Sequence, residues 1–403
     1  MYLRVFAVVG LALLAGLVAC SGEDKVPQLT QVESIPSEEA TQIKNIMGLT
    51  IEQLKKRYPG ETPVLRGVHP KDHGCVMAKF KVLDTLAEDL RVGVFSTPGH
   101  EYQAWIRFSN AAVLDAPDSP SEAGVTKHGS RGMAIKLLGV SGTPLVKNGG
   151  PLTQHFVMIN QPVFAFSNVE DYEALSEVLL KDSAKADKPD RFFARIRKKA
   201  DGTPDLADPM TKRALKTLAI VKRIQSLSVT ADPPAFEAPP ASPVDNRYFS
   251  AAPFLFGPDK VMKFSAKPVS PASGDVPNVA EEDYLRTALH KRLTATNAAD
   301  ILFEFQVQVR SASDLAGKIE AEIEDAHFEW VETTHPFVAV AMITIPPQDF
   351  ETEERRGLCE DQIFTPWQGI AEHRPLGGIN RMRLAVYEAS AAFRHAPKEP
   401  PGF

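Results

Sequence analysis

One face of a predicted helix near the C-terminus carries the side chains best suited to chemistry. Side chains three and four residues apart are neighbours on a helix, so residues 380–394 place on this face Arg383, Tyr387, Ser390, Ala391 and Arg394. A positive charge one turn away favours the phenolate form of Tyr387, and a phenolate is one of the few protein ligands of haem iron. The small residues leave room for something flat against the helix. An Arg-x-x-x-Tyr pair is common on its own, so a surface helix with an incidental tyrosine is the alternative.

A glycine- and proline-containing loop, residues 66–74, holds two histidines four positions apart. On a helix this spacing suits a zinc ion, but Pro70 follows His69 directly and disfavours helical backbone there. No cysteine or carboxylate stands at a suitable spacing to complete the ligand set. We therefore disfavour a zinc site at His69 and His73, and a purely structural His69 is the alternative to a catalytic one.

Two further polar residues interrupt apolar segments. Arg107 alternates with Ile106 and Phe108 along a predicted strand. We expect its side chain to point into a barrel, where an unpaired charge is costly and an anionic partner is required. A bound carboxylate or a protein Asp or Glu would serve equally. Asn160 stands at the end of another predicted strand, before Pro162 and two phenylalanines.

The remaining pattern predicts the elements that position these residues. A helix is expected from Ser37, a suitable N-cap, to about Tyr58, and residues 170–231 read as helical and polar. A proline- and alanine-rich connection spans 233–243, and an amphipathic helix 281–293. Alternating apolar residues predict strands at 75–83, 104–109, 132–138, 154–160, 261–266, 301–309 and 336–345. Strands, a helical insert, more strands and a closing helix favour an α+β fold, an antiparallel β-barrel with surrounding helices and long irregular connections.

Composition limits the function classes. The chain has 403 residues, of which 43% are hydrophobic and 24% charged, as is ordinary for a large globular protein. A net charge of -6 gives no electrostatic reason to expect nucleic acid as a partner.

The N-terminus has the features of an export signal. One arginine precedes an apolar run that ends in Leu-Val-Ala-Cys20, so residues 1–19 read as a lipoprotein signal peptide and 20–37 as a flexible tether. We expect a lipid anchor at Cys20 and a periplasmic place in a bacterial cell envelope, with an ordinary cleaved signal peptide as the alternative. Cys75 and Cys359 remain, either as a pair or as two buried thiols.

Taken together, five short motifs resemble the haem catalase family. They occur in the family's order across roughly residues 60 to 395, and the ending Phe364-Thr-Pro-Trp through His373-Arg-Pro-Leu-Gly-Gly resembles a short, catalase-related branch. The resemblance implies an antiparallel eight-stranded β-barrel and a single haem domain over residues 38–403. The motifs are Arg66-x-x-His69, Arg107-Phe-Ser109, Arg131-Gly-Met-Ala-Ile-Lys136, Asn160-x-Pro-x-Phe164, and Arg383-x-x-x-Tyr387 followed by Arg394.

The resemblance also implies roles around haem b (iron protoporphyrin IX). His69 would be the acid and base above the haem, Asn160 would orient the peroxide, and Ser109 would fix the tautomer of His69. Tyr387 would bind the iron from the other side, with Arg383 holding it as phenolate. Forked guanidinium–carboxylate pairs from Arg66, Arg107 and Arg394 would bind the propionates. Phe164 or Phe166 would line the distal side.

Several positions depart from the large catalases. Val125 stands where they keep a channel Asp, and Pro70 follows the histidine in place of Ala. These changes favour peroxidase activity with an organic electron donor, and weaker catalase activity, on hydrogen peroxide or organic hydroperoxides. The alternatives are an enzyme that transforms fatty-acid hydroperoxides and a non-catalytic haem-binding lipoprotein. The tether makes the exchange of N-terminal arms seen in tetrameric catalases less favourable, so a monomer or dimer is expected.

Overall fold

The fold is a closed antiparallel β-barrel with helices packed outside it, as the sequence pattern predicts. The computed structural model describes residues 32–60, 64–110, 121–122, 125–126, 130–146, 152–180, 193–225, 241–274, 283–311 and 313–394. The predicted signal peptide, Cys20 and residues 20–31 of the predicted tether lie outside the described residues.

Eight strands form the barrel in the order β1-β2-β5-β6-β7-β9-β10-β11, and β11 pairs with β1 to close it. The strand β8 lies beside β9 as an extra strand, and β3 and β4 form a separate ribbon. The strands are β1 Asp72–Val82, β2 Glu101–Asn110, β3 Ser121–Glu122, β4 Val125–Thr126, β5 Arg131–Leu137, β6 Gln154–Ile159, β7 Tyr248–Phe249, β8 Phe254–Leu255, β9 Lys260–Pro268, β10 Ile301–Ser311 and β11 Val338–Ile345.

Aromatic rings fill the barrel interior. The ring centroid of Phe156 lies 4.7 Å from that of Phe305 and 5.0 Å from that of Phe264, and all three side chains are fully buried. Burying each such ring stabilises the fold by roughly 2–3 kcal/mol. Because side chains alternate across a strand, the residues between these core positions face outward.

The alternation corrects the predicted direction of Arg107. Its neighbours Ile106 and Phe108 are fully buried in the barrel core, so Arg107 lies on the outer face of β2, and it is nonetheless only 3% exposed. Its cover is therefore the layer of loops and helices around the barrel. Any ligand that meets Arg107 must lie between the barrel wall and that layer.

Helices α1 (Glu39–Arg57), α2 (Val169–Leu180) and α6 (Gly378–Phe393) pack on one another through Ile46, Val169, Met382 and Val386. Helix α1 begins after Glu38, which makes no side-chain capping bond, so the prediction of Ser37 as N-cap is wrong. Within the described part of 170–231, residues 193–208 are mainly irregular. The helices are α1 Glu39–Arg57, α2 Val169–Leu180, α3 Pro209–Gln225, α4 Tyr284–Thr294, α5 Glu353–Asp361 and α6 Gly378–Phe393.

An ion-pair network fixes the start of α6. The Arg381 guanidinium donates to the carboxylates of Glu33 and Glu39 at 2.6 Å and of Glu324 at 2.8 Å. Glu33 is buried and lies within the stretch predicted as tether, so the packed part of the protein includes residues before Ser37. This network holds the helix that carries Arg383 and Tyr387.

A buried histidine predicts how stability changes with pH. His373 is fully buried, its Nε2 accepts a hydrogen bond from the Val94 N–H at 3.1 Å, and burial lowers its pKa to about 4. The unfolded chain, with a histidine pKa of about 6.5, binds the proton first as pH falls. Stability from this group is therefore complete above pH ~6.5 and lost on acidification towards pH ~4.

We expect His373→Gln, which keeps an acceptor but does not titrate, to lose less stability on acidification. Between pH 7 and pH 4, the free energy of unfolding should fall by about 3 kcal/mol more in the wild type than in the variant. Denaturant unfolding at several pH values measures it. Parallel pH profiles for the two proteins would contradict the assignment.

Candidate active site

His69 is held in a strained backbone conformation at the entrance to β1. Its φ is +53°, a region that a residue other than glycine rarely adopts. Arg107 holds the loop there, because its guanidinium donates to the carbonyl oxygens of His69 at 2.8 Å and Pro70 at 3.2 Å. Strain of this kind costs of order 1–3 kcal/mol and is retained where the geometry is used.

The imidazole of His69 lies over the end of β2 and the start of β5. Its Nδ1 is 2.9 Å from the Ser109 Oγ, and Ser109 pairs with Gly132 across β2 and β5. A Cβ on Gly132 would lie 2.4 Å from the ring, so only glycine leaves room for it. The bond to Ser109 fixes the ring orientation and leaves Nε2 for another group.

His69 is neutral over the physiological range. Burial, reinforced by the positive charges of Arg107, Arg383 and Arg66, lowers its pKa to about 3. A neutral imidazole has one basic nitrogen, so His69 can accept a proton from a bound molecule and return it.

Asn160 immediately follows β6, on the strand beside Gly132. Its Oδ1 accepts hydrogen bonds from the Arg131 N–H at 2.7 Å and the Ser130 hydroxyl at 3.2 Å. Both bonds use the oxygen, and no described residue accepts from Nδ2. This geometry fixes the amide and leaves an N–H donor for a ligand.

Arg66, Arg107 and Arg394 converge on the end of α5, where a protein carboxylate meets them. The Glu360 carboxylate binds the Arg66 guanidinium directly, and it lies 3.8 Å from the Arg107 guanidinium. Arg66 also donates to the carbonyl oxygen of Gln362 at 2.7 Å, and Arg394 donates to that of Glu360 at 3.2 Å. The three residues that the sequence assigned to propionate binding therefore form one cluster, called here the arginine cluster.

The arginine cluster places three guanidiniums around Glu360. Arg66 and Arg107 face its carboxylate and Arg394 its carbonyl oxygen, and Asp72 and Asp361 are further negative charges that act on Arg107 and Arg394. Burial, with repulsion from Arg66 and Arg107, lowers the pKa of Arg394 to about 9. The buried Nε of Arg107 has no hydrogen-bond partner among the described residues. These features leave the cluster able to bind further carboxylates.

Arg383 lies one turn before Tyr387 on α6 and is held by other groups. Its guanidinium donates to the Asn380 Oδ1 at 3.0 Å and lies over the Phe164 ring, 5.2 Å from its centroid. It makes no hydrogen bond to Tyr387. The half-buried phenol of Tyr387 has no hydrogen-bond partner among the residues that the structure describes. Tyr387 is thus left available as a ligand.

A second tyrosine adjoins this helix. Tyr172 on α2 stacks on Phe164, with centroids 6.2 Å apart, and meets Phe166 edge-on at 5.2 Å. Burial, together with the nearby Tyr387 and against the effect of Arg383, raises its pKa to about 12. Both phenylalanines of the predicted distal side therefore line the space beside Tyr172, and Phe164 also contacts Arg383.

The predicted site residues form connected groups. Arg107 joins the His69 loop to the arginine cluster, and the charge of Arg383 acts on His69 from the α6 side. Sequence reasoning missed Glu360, Tyr172 and Asn380. No local pattern marks Glu360, because its partners lie far away in the sequence.

His69 and His73 do not form a metal pair. The His73 Nε2 is 2.6 Å from the Asn110 Oδ1, whereas His69 turns to Ser109. Within the described ranges, no group of three or more His, Cys, Asp or Glu side chains is arranged to hold a metal ion. In the same part of the chain, no helix combines the length and apolar character needed to cross a membrane.

Comparison with known proteins relates the fold to catalases. No family model and no curated protein sequence matches the chain. Solved structures do match: a fungal catalase with a TM-score of 0.58 and 15% identity, covering 85% of this chain and 62% of that one. A bacterial catalase has a TM-score of 0.54 and 18% identity, covering 86% of this chain and 60% of that one. Catalase A from Saccharomyces cerevisiae has a TM-score of 0.55 and 15% identity, and the match covers 85% of this chain and 63% of that one.

The matches define the class of fold. At these identities they establish a catalase-like α+β barrel, and this chain spans about three fifths of the length of the catalases it matches. The residues described above, rather than the overall similarity, carry any argument about chemistry.

Gly132→Ala tests the packing of His69. The new methyl group must displace the imidazole from the Ser109 hydroxyl, while the β5 backbone accepts alanine without strain because its φ is not positive. We expect diethyl pyrocarbonate to modify His69 several-fold faster in this variant, as located by peptide mass spectrometry. Gly48→Ala, where nothing lies within 4 Å, is the matched control and should behave as the wild type. Equal rates in all three proteins would contradict the described contact.

Proposed function

We propose that this protein is a haem-dependent oxidoreductase that acts on peroxides, mainly as a peroxidase and more weakly as a catalase. The observation that carries the proposal is the pairing of a neutral, oriented His69 with an unpartnered Tyr387 on a catalase-like barrel. A protein that only bound haem would need Tyr387 and the arginines but neither His69 nor the amide donor of Asn160.

The residues fit haem b as the cofactor. Its two propionates would meet the guanidiniums of the arginine cluster, and the partnerless Arg107 Nε is a donor for one of them. Tyr387 would bind the iron as phenolate, with Arg383 one turn before it on the same helix. Phe164, Phe166 and Tyr172 form an aromatic group beside Arg383, and this group would supply apolar surroundings for the macrocycle. When bound, haem supplies a redox-active iron at which the peroxide O–O bond is cleaved.

His69 would move the proton that this cleavage requires. Its Nε2 would take a proton from one peroxide oxygen and return it to the other, so that water or an alcohol leaves. The Ser109 hydroxyl holds Nδ1 and so keeps the ring aligned through both transfers. The Asn160 Nδ2 would donate a hydrogen bond to the peroxide and hold it beside the imidazole.

The pKa of His69 determines the expected pH dependence of the reaction. Since the pKa of His69 is about 3, the imidazole is ready to accept a proton at all pH values above about 4. The reaction with peroxide should therefore not slow through protonation of His69 between pH 5 and pH 8.

The remaining features of the proposal concern the substrate and the setting. An organic electron donor would complete the peroxidase cycle, and organic hydroperoxides as well as hydrogen peroxide would be accepted. The alternative activity is the transformation of fatty-acid hydroperoxides. The signal at residues 1–19 supports a periplasmic protein anchored through Cys20 as a monomer or dimer.

Tyr387→Phe tests the iron ligand. We expect the variant to bind haemin at least about tenfold more weakly than the wild type and to have a shifted absorption spectrum. Tyr172→Phe is the matched control, because it removes a neighbouring phenol of the same size. A shifted absorption spectrum in Tyr172→Phe and an unchanged one in Tyr387→Phe would contradict the proposal, because the iron ligand would then be Tyr172 on α2.

His69→Ala tests the chemical role. Loss of the proton carrier should lower peroxide turnover by about 10²–10⁴-fold while the haem stays bound with an unchanged content. An oxygen electrode and donor oxidation measure turnover, and the absorption spectrum measures haem. Undiminished turnover would exclude the role proposed for His69. Absence of turnover in the wild type, with haem bound, would favour a non-catalytic haem-binding protein.

A further inference from the structure

Two buried cysteines meet beside the arginine cluster, although they lie at opposite ends of the sequence. Cys75 belongs to β1 and Cys359 to the last turn of α5, and both are free thiols. They are 4% and 2% exposed and pack together with Trp105. None of the proposed chemistry at His69 and Tyr387 uses them.

The two thiols are close enough to interact. Burial, together with a hydrogen bond between the thiols, raises the pKa of Cys359 well above its usual value. Three guanidiniums, those of Arg66, Arg107 and Arg355, interact electrostatically with both sulfurs. The pair is therefore a contacting dithiol in a positively charged setting, at the junction of a barrel strand and an outer helix.

The dithiol is connected to the arginine cluster on both sides. Cys75 lies directly opposite Arg107 in the β1–β2 register. Cys359 precedes Glu360 in the chain, and its carbonyl oxygen accepts a hydrogen bond from Arg66 at 3.1 Å. A covalent link between the sulfurs would tie α5 to β1 at the point where Glu360 meets the arginines.

We propose that Cys75 and Cys359 are a peroxide-oxidised pair whose disulfide locks the end of α5 over the arginine cluster. One thiol gives up its proton as its sulfur attacks a peroxide oxygen, the O–O bond breaks, and the departing hydroxide takes that proton and leaves as water, so that a sulfenic acid forms. The second thiol attacks that sulfur, the S–S bond forms, and the second water leaves. Two thiols and one hydrogen peroxide thus become one disulfide and two waters, and peroxide is the oxidant.

The lock would hold the cluster that the proposed function assigns to haem propionates. That consequence rests on the proposed function, but the disulfide and its effect on α5 do not. The experiment therefore uses protein without haem, so that failure of haem binding and failure of the disulfide are separate results.

The test compares reduced and peroxide-treated full-length protein. After treatment with hydrogen peroxide, quenching and alkylation in denaturant, we expect loss of both reactive thiols and a peptide linking Cys75 to Cys359 by mass spectrometry. The oxidised protein should unfold about 5 °C higher, because the link closes a long loop. Cys75→Ser and Cys359→Ser are matched controls, and neither should gain stability on treatment.

Hydrogen exchange tests the lock itself. Amides of residues 353–361 should exchange at least about tenfold more slowly in the oxidised protein, whereas those of α4 serve as an internal reference and should not change. Two thiols that remain alkylatable after peroxide treatment would overturn the pair. A disulfide that leaves exchange at α5 unaltered would overturn the lock.

Discussion

The guanidinium of Arg107 is the interaction on which the rest of the site depends. It is buried on the outer wall of the barrel, where an uncompensated charge would cost several kcal/mol. Its hydrogen bonds to the carbonyls of His69 and Pro70 hold the strained loop, and its charge faces Glu360 at the end of α5. A single strand residue thus connects His69, the arginine cluster and the outer helix. The remaining Nε is still available to a ligand.

The second half of the site is built independently on α6. Arg381 anchors the helix through three carboxylates, and Arg383 is fixed by Asn380 and the Phe164 ring. Tyr387 is the group on this face that these contacts leave without a partner. The two halves communicate through charge, since Arg383 helps keep His69 neutral. The proposed function uses both halves, with His69 as proton acceptor and Tyr387 as iron ligand.

Much of the fold could be predicted from local pattern. Alternating apolar residues located seven barrel strands to within a few residues, because period-two burial is a property of each strand alone. The two-residue strand Tyr248–Phe249 was missed, since so short a segment has no period. The direction of Arg107 was wrong although the pattern contained the answer: its neighbours Ile106 and Phe108 occupy the core, so Arg107 must face away from it.

The site could be predicted in part. Residue types and spacing indicated Arg107 and Tyr387, and the resemblance to haem catalases indicated His69 and Ser109. The structure brings His69 into direct contact with both Ser109 and Arg107. Glu360 could not be predicted, because its partners are set by how α5 docks on the barrel. The contact of Cys75 with Cys359 was left open for the same reason. Tertiary packing, rather than local sequence, decides which carboxylate or thiol meets which partner.

The central claim is that this barrel carries haem and uses it on peroxide, and an absorption spectrum of the purified protein tests it most directly. We predict a high-spin ferric haem band, either as purified or after haemin is supplied, that changes on addition of hydrogen peroxide and recovers when an organic donor is added. An oxygen electrode in the same cuvette should record little oxygen release. Absence of any haem band after haemin is supplied would contradict the account.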